Sequence, residues 1–172
     1  MAAEPVQGSA RIVARGRYYD ELIPGDVYEH KPGRTVGEGD NTLFSVLTMN
    51  PASVHLDGHY SAGTEFGERL VNSLFTLSTL VGLAVNDLTQ TTTVANLGFG
   101  EVSFPKPVFV GDTLYAETEI VSARLSRSRP TQGVVEFEHR MRNQRGEVVA
   151  VARRSALMHR DPDRSEAQEG RA

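Results

Sequence analysis

The chain has 172 residues, a formal net charge of −4 and no cysteine. The length suits one domain, and the acidic balance provides no basic field of the kind that attracts nucleic acid. The lack of cysteine excludes disulfides, thiolate metal sites and a thiol nucleophile, and it is compatible with a cytoplasmic location. No run approaches the roughly 18 apolar residues of a membrane span, so no membrane partner is expected.

The first part of the chain predicts an arm, a strand and a short helix. Residues 1–16 are mostly polar and are predicted to form a flexible arm. Residues 27–36 have β character, with a bend or bulge expected at Pro32-Gly33. Asp40 precedes an apolar stretch that ends at Leu47, which predicts a short helix capped by the Asp40 carboxylate. A catalytic role for this acid is the less favoured alternative.

The longest apolar segment lies in the middle of the chain. Residues 48–60 have the polar character of a loop, and the following apolar residues recur at helical spacing. This pattern predicts a long helix that begins near Thr64, whose side chain can cap it. Because more than one face is apolar, we expect the helix to lie at the centre of the core. The residues that carry the pattern are Phe66, Leu70, Leu74, Leu77 and Val81.

From Thr91 onward the pattern predicts β-strands, at 91–97, 101–104, 113–125, 134–141 and 147–158. A hairpin is expected at 143–146, where Gly146 can supply a positive φ. A long apolar helix followed by antiparallel strands predicts an α+β fold with the sheet wrapped around the helix. Residues 17–158 are predicted to form a single domain, and the polar residues 159–172 a disordered tail.

His55, in the loop before the helix, is the main candidate for acid–base chemistry. A neutral imidazole can accept a proton from water and later return it. A surface or structural histidine is the common alternative for a single loop histidine. The alternation of His55, Asp57 and His59 could suggest a metal site, but no third ligand group is evident and no metal is predicted.

A basic group follows the strand 113–125. Arg124, Arg127 and Arg129 would form a patch near Lys106 if the strands pair as predicted. The patch is either a solvated edge or a binding site for the phosphate groups of a cofactor tail.

Three segments resemble the MaoC-like dehydratases, the (R)-specific enoyl-CoA hydratases with a hot-dog fold. The family's loop pattern, roughly L-S-G-D-x-N-P-[LIV]-H-x-D, aligns with residues 47–57. Its H-G-M helix start aligns with Asn72-Ser73-Leu74, and its F-x-x-P-V-x-x-G-D turn aligns with residues 104–112. The resemblance covers about residues 17–158. It implies an α+β hot-dog fold, in which an antiparallel sheet wraps around a long central helix.

The resemblance implies reversible addition of water across the α,β double bond of an enoyl-CoA. The CoA thioester is then a substrate, and no cofactor is needed. His55 matches the family histidine and would be the acid/base, and the Ser73 amide matches the glycine amide that stabilises the enolate oxygen. Asn50 stands where the family has aspartate, so it can hold a water but cannot act as a carboxylate base. Asn72 replaces the family's helix-start histidine and is a candidate substrate contact.

Within the family, the T-M-N loop and the V-N-S-L-F-T helix start look like proteins associated with branched or dicarboxylic enoyl-CoAs, such as itaconyl- or mesaconyl-CoA. Arg69 or Lys106 could then bind the second carboxylate. Two alternatives stay open. A hot-dog thioesterase would use an acid such as Glu65 or Glu68, and a non-catalytic acyl-CoA-binding protein would have lost its activity with the aspartate.

By resemblance we expect a homodimer or a higher homo-oligomer, since an exposed sheet edge is otherwise a liability. In such dimers the CoA tail often lies between subunits. Arg124, Arg127 or Arg129 of one subunit, together with Lys106, would then contact the CoA phosphates.

Overall fold

The computed structural model describes residues 13–162, so most of the predicted arm at 1–16 and of the predicted tail at 159–172 lies outside the described residues. Within 13–162 the chain forms four α-helices and five β-strands. The helices are α1 (Glu38–Leu47), α2 (Ser53–Leu56), α3 (Gly58–Ala62) and α4 (Ser73–Ala84), and α4 continues into a π-helical turn, Val85–Thr89. The strands are β1 (Val27–Thr35), β2 (Thr93–Ser103), β3 (Thr113–Leu125), β4 (Gln132–Arg142) and β5 (Val148–His159).

The strands form one antiparallel sheet in the order β1-β3-β4-β5-β2, which leaves β1 and β2 at the edges. The register of β1 shifts between His30 and Arg34, which confirms the predicted bulge. Gly146, in the turn between β4 and β5, has the expected positive φ of 76°. Helix α4 packs against β1, β3, β4 and β5. The predicted sheet around a central helix is therefore confirmed. None of the helices in residues 13–162 is long and apolar enough to cross a membrane.

The central helix begins nine residues later than predicted, at Ser73 and not near Thr64. Residues 64–68 form turns and bends, in which the Thr64 hydroxyl donates to the Ser61 carbonyl at 2.7 Å and Gly67 has a φ of 72°, and Leu70 pairs with Phe109 in an isolated β-bridge. Phe66 and Leu70 both precede the helix, so the prediction that their spacing reflected a helix was wrong. The loop predicted at 48–60 also contains the two short helices α2 and α3.

The start of α1 was also predicted wrongly, because the helix begins at Glu38 and not after Asp40. Asp40 lies in the first helical turn and is not the N-cap. Its carboxylate reaches back to the amide of Gly37 at 2.9 Å and forms an ion pair with Arg34 at 2.6 Å. The acid still stabilises the N-terminus of the helix, because a negative charge there interacts favourably with the helix dipole.

Two apolar clusters lie between α4 and the inner face of the sheet, and a row of polar side chains separates them. On three neighbouring strands, Thr118, His139 and Arg154 occupy the positions between the clusters, and all three are buried. Thr118 belongs to the buried face of β3, on which Leu114, Ala116 and Ile120 also lie. The first cluster includes Phe75, Leu80, Leu114 and Met141, and the second includes Ala84, Ile120, Phe137 and Met158.

Hydrogen bonds along this polar row run in one direction. Arg154 can only donate, so its Nε–H donates to His139 Nε2 at 3.1 Å, and His139 Nδ1–H donates to the Thr118 hydroxyl at 2.7 Å. The hydroxyl then donates to His30 Nε2 at 2.7 Å, and His30 Nδ1–H donates to Asp87 at 2.8 Å. Burial, helped by the charge of Arg154, lowers the pKa of His139 to about 3, which keeps its ring neutral.

Candidate functional site

A cavity of about 300 Å³ opens at the N-terminus of α4. Three of its lining residues are candidate catalytic or binding residues from the sequence analysis, namely His55, Ser73 and Lys106. The remaining walls are mainly apolar, which suits an organic substrate held by a few polar groups. They are formed by Phe66, Leu70, Val71, Thr76, Phe104, Pro105, Pro107, Val108 and Val149.

His55 is half-buried at the end of α2, and one of its ring nitrogens is fixed. Its Nδ1 lies 3.0 Å from the carbonyl oxygen of Leu70. Because a carbonyl only accepts, Nδ1 must carry the proton, and the neutral ring then has its lone pair on Nε2. His55 therefore lines the cavity with its Nδ1 held by the Leu70 carbonyl.

Ser73 is the first residue of α4 and also lines the cavity. The first amides of a helix have no partner within the helix and carry its positive partial charge. Asn72 caps the helix by accepting from the Leu74 amide at 3.0 Å. The Ser73 amide lies one position earlier, in the first turn of the helix. Asn72 itself is buried, and its side-chain nitrogen lies 3.4 Å from the Ser45 hydroxyl.

Asn50 lies on the loop that precedes α2, on a different cavity from His55. Its side-chain oxygen accepts from the amide of Ala52 at 3.1 Å, which closes a turn before the helix. It lines a neighbouring cavity of about 320 Å³ together with Ser45, Val46, Met49, Pro51 and Leu56. The structure therefore gives Asn50 a role in shaping the loop before α2.

The two candidate cations near the site differ in their surroundings. Arg69 forms an ion pair with Glu38 at 2.6 Å, which ties the turn before α4 to the start of α1. Lys106 is exposed and lines the same cavity as His55 and Ser73. Lys106 is thus the better placed of the two to meet an anionic group of a ligand. Glu65 and Glu68 are exposed in the turn before α4 and are not among the residues lining the cavity.

Asp112 holds the wall of the cavity between β2 and β3, a role that the sequence analysis did not predict. Its carboxylate accepts from the amide of Phe109 at 3.0 Å, from Gln144 at 2.7 Å and from Arg145 at 3.0 Å. Burial opposes the charge of Asp112, but these three donors outweigh it and the pKa lies below its ordinary value. A backbone bond of 2.8 Å from Val71 to the carbonyl of Val108 joins this wall to the start of α4.

Arg124, Arg127 and Arg129 are not brought to His55 within one chain. They line a separate concavity of about 800 Å³, formed where β3 ends and β4 begins. His55, by contrast, lies beside the start of β5 and the segment that follows β2. Ala95 and Leu97, in the first half of the edge strand β2, line the same concavity as the arginines.

The alternation of His55, Asp57 and His59 does not build a metal site. Asp57 instead caps α3 by accepting from the amide of Tyr60 at 2.9 Å. Among residues 13–162, no three histidine, aspartate or glutamate side chains are grouped closely enough to hold a metal ion.

Comparisons with known proteins identify the family of the chain. Residues 21–141 match the model of the MaoC like domain family. The mesaconyl-CoA hydratase of Cereibacter sphaeroides is 31% identical over 134 residues, which are 78% of this chain and 38% of that protein. The chain spans well under half the length of the curated relatives it matches.

Among solved structures, the same fold occurs in chains of similar length and in a chain with two copies of the fold. A monoamine oxidase regulatory protein from Archaeoglobus fulgidus superposes with a TM-score of 0.78 at 32% identity, covering 88% of this chain and all (100%) of that one. A conserved hypothetical protein from Mycobacterium tuberculosis, described as a double hot-dog fold, gives a TM-score of 0.78 at 25% identity, covering 88% of this chain and 47% of that one. The predicted hot-dog fold is therefore confirmed.

Proposed function

This chain belongs to the MaoC-like dehydratase family, and from that premise we propose that it adds water reversibly to the α,β double bond of an enoyl-CoA thioester. One observation carries the proposal: His55, with its Nδ1 bonded to Leu70, and Ser73, the first residue of α4, line the same cavity. An imidazole base and a helix-terminal oxyanion donor are the two groups that this addition requires.

In the proposed reaction, the thioester carbonyl oxygen accepts a hydrogen bond from the Ser73 amide. Nε2 of His55 takes a proton from a water molecule as the water oxygen forms a bond to the β-carbon. The π electrons of the double bond move towards the carbonyl, and the enolate oxygen is stabilised at the helix N-terminus. The imidazolium then returns a proton to the α-carbon, and the reverse sequence is dehydration.

His55 is the single acid/base in this scheme, because asparagine replaces the family aspartate at position 50. The oxygen of Asn50 is already engaged by the Ala52 amide. Asn50 also lines the neighbouring cavity and not the one that His55 and Ser73 line. Asn50 would thus shape the loop before His55, and the scheme assigns it no contact with the reacting water.

A dicarboxylic acyl group is the substrate class that the cavity favours. Lys106 is the cation on the cavity wall, whereas Arg69 is engaged by Glu38. A lysine can bind a second carboxylate as a point charge, which would select mesaconyl- or itaconyl-CoA over a simple enoyl-CoA. A relative named mesaconyl-CoA hydratase supports this choice.

We also propose a homodimer joined through the β2 edges. β2 is an edge strand, and Leu97 and Phe99 on it are exposed. Two-fold antiparallel pairing would place the Thr93 end of one β2 beside the Ser103 end of the other. That pairing would bring the partner's arginine concavity to the end of the sheet where His55 lies, where Arg124, Arg127 or Arg129 can meet CoA phosphates.

The proposal is tested by incubating the protein with crotonyl-, mesaconyl- and itaconyl-CoA. Loss of the enoyl-thioester absorbance without release of free thiol is the expected result. Thiol release would instead identify a thioesterase. Binding of the esters without turnover would identify a non-catalytic acyl-CoA-binding protein, and either result would overturn the proposal.

The substrate class is tested by comparing Lys106→Ala with Arg69→Ala. We expect Lys106→Ala to raise KM for mesaconyl-CoA about ten- to a hundredfold, which corresponds to loss of a charge-assisted hydrogen bond. KM for crotonyl-CoA should change much less. Equal effects on both substrates, or a larger effect of Arg69→Ala, would contradict the role of Lys106 as the receptor of a second carboxylate.

A further inference from the structure

Asn41 is a residue of α1, and its fully buried side-chain amide points to the segments around the cavity at the start of α4. Its Nδ2 donates to the carbonyl oxygens of His55 and Leu70, both at 3.1 Å. Its Oδ1 accepts from the amide of Asn72 at 2.9 Å. Both amide hydrogens and one side of the oxygen are therefore used, as the burial of a polar side chain requires.

The three groups that Asn41 contacts belong to both halves of the candidate site. The carbonyl of Leu70 is the one that also accepts from His55 Nδ1, at 3.0 Å. The amide of Asn72 lies immediately before Ser73, the residue with the proposed oxyanion donor. A single side chain thus fixes the loop that carries the imidazole, the carbonyl that orients it and the start of the helix.

We propose that Asn41 is a positioning residue for the proposed hydration. It holds the Leu70 carbonyl towards His55, so that the neutral ring keeps its proton on Nδ1 and its lone pair on Nε2. It also fixes the position of the Ser73 amide relative to that ring, because it binds the neighbouring amide of Asn72. The kinetic consequence rests on the proposed function, whereas the effect on the tautomer of His55 does not.

The alternative is a purely structural role, in which Asn41 contributes stability and nothing else. The two roles differ in what a substitution changes. A structural residue alters the free energy of unfolding and leaves the ring of His55 as it was. A positioning residue alters the proton position on that ring, because the nitrogen that carries it is set by the hydrogen bond of its neighbour.

The test compares Asn41→Leu, which has a similar volume and none of the hydrogen bonds, with Asn143→Leu. Asn143 is also a buried amide with three bonds, to the amides of Arg145 and Glu147 and to the Glu147 carboxylate, in the turn between β4 and β5. It touches neither His55 nor α4 in these bonds. Asn41→Ala, in which water can replace the amide, serves as a second variant if Asn41→Leu does not fold.

The first readout is the ¹⁵N spectrum of the imidazole, recorded above pH 8, with the His55 signals identified by their loss in His55→Gln. We expect the Nδ1–H tautomer to dominate in the wild type and in Asn143→Leu. In the Asn41 variants a substantial fraction should shift to the Nε2–H tautomer. A wild-type ring protonated on Nε2, or folded Asn41 variants with the wild-type tautomer, would overturn the proposal even if the protein hydrates no enoyl-CoA.

The second readout is steady-state hydration. We expect kcat of the Asn41 variants to fall about ten- to a hundredfold, the scale of a small misplacement of catalytic groups, with KM changed by less than about threefold. Asn143→Leu should lose stability but keep kcat. A wild-type kcat in the Asn41 variants would overturn the positioning role, and absence of activity in the wild type would count against the proposed function alone.

Discussion

Histidines occupy polar networks at both ends of α4, and the two networks differ in how many ring nitrogens they use. At the N-terminal end, His55 bonds Leu70 through Nδ1 and lines a cavity. Near the C-terminal end, His30 and His139 have both ring nitrogens bonded and are 2% and 0% exposed. A histidine with one bonded nitrogen keeps the other available to a ligand, as the proposed proton transfer needs, whereas His30 and His139 are part of the core.

The difference extends to what each network does for the fold. The row through Thr118 and His139 crosses neighbouring strands, and a slip of one residue would turn these side chains to the other face of the sheet. Arg154 ends the row, and its Nη2 has no partner among residues 13–162. The buried network thus favours one strand register, while the network around His55 holds loops and a helix end around a cavity.

The largest effect should come from removing the imidazole of His55. We expect His55→Gln to lower kcat for hydration by about 10²–10⁴, the range for a general acid–base group, with little loss of stability. His59→Gln, an exposed histidine four residues away, is the matched control and should behave as the wild type. Equal losses in both variants would remove the distinction between His55 and its neighbours.

A smaller effect, on stability and not on activity, should follow from Thr118→Val in the buried row. The variant keeps the shape but leaves His30 Nε2 and His139 Nδ1 without partners. We expect the free energy of unfolding to fall by about 2–4 kcal/mol, since each unsatisfied buried group costs about 1–3 kcal/mol. Denaturant titration measures this change, and kcat should stay within about twofold. A catalytic loss without destabilisation would show that the buried row serves the chemistry.

The acid sensitivity of the fold provides a third test, because the pKa of His139 is about 3 in the folded chain and about 6.5 in an unfolded one. Between these values the unfolded state binds more protons, so the stability from a neutral His139 is present above pH 6.5 and is lost as pH falls. The slope reaches at most about 1.4 kcal/mol per pH unit.

The contribution of His139 is separated by comparing the wild type with His139→Gln between pH 5 and 6.5, where most carboxylates do not titrate. We expect the wild type to lose stability faster than the variant as pH falls. Parallel curves would contradict the buried, neutral state of His139.

The smallest effect is expected at Asn50, although it is the most visible departure from the family pattern. Asn50→Asp keeps the oxygen that accepts from Ala52. We expect kcat to change by less than about tenfold, below the range of a general acid–base group. A gain of about a hundredfold or more would mean that the side chain at position 50 takes a proton from the reacting water.

The sequence predicted the parts of the structure that depend on local pattern. The strand at 113–125 was predicted with the bounds that the structure has, and its residues alternate between a buried and a more exposed face. Apolar spacing failed at Thr64, because Phe66 and Leu70 in the segment before α4 can mimic a helical stripe. The alignment with the family placed Ser73 at the helix start, since it counts residues from the loop histidine and does not depend on apolar spacing.

The parts that could not be predicted depend on contacts between distant segments. Asn41, His55 and Leu70 meet only when α1 packs on the turn before α4, and nothing in the sequence around Asn41 marks it as buried. The polar row has the same origin, because His30 and His139 come from strands that are far apart in the chain. Alternation predicts that such residues face inward, but only strand order shows that they bond to one another.

The most direct test of the central claim is hydration in D₂O. The wild type, His55→Gln and Thr118→Val would each be incubated in D₂O with whichever enoyl-CoA the wild type hydrates fastest, and the product analysed by mass spectrometry after return to H₂O. If His55 transfers the proton, the wild type and Thr118→Val form product with one carbon-bound deuterium at the α-carbon, and His55→Gln forms almost none. Labelled product from His55→Gln at the wild-type rate would contradict the assignment of proton transfer to the cavity-facing histidine.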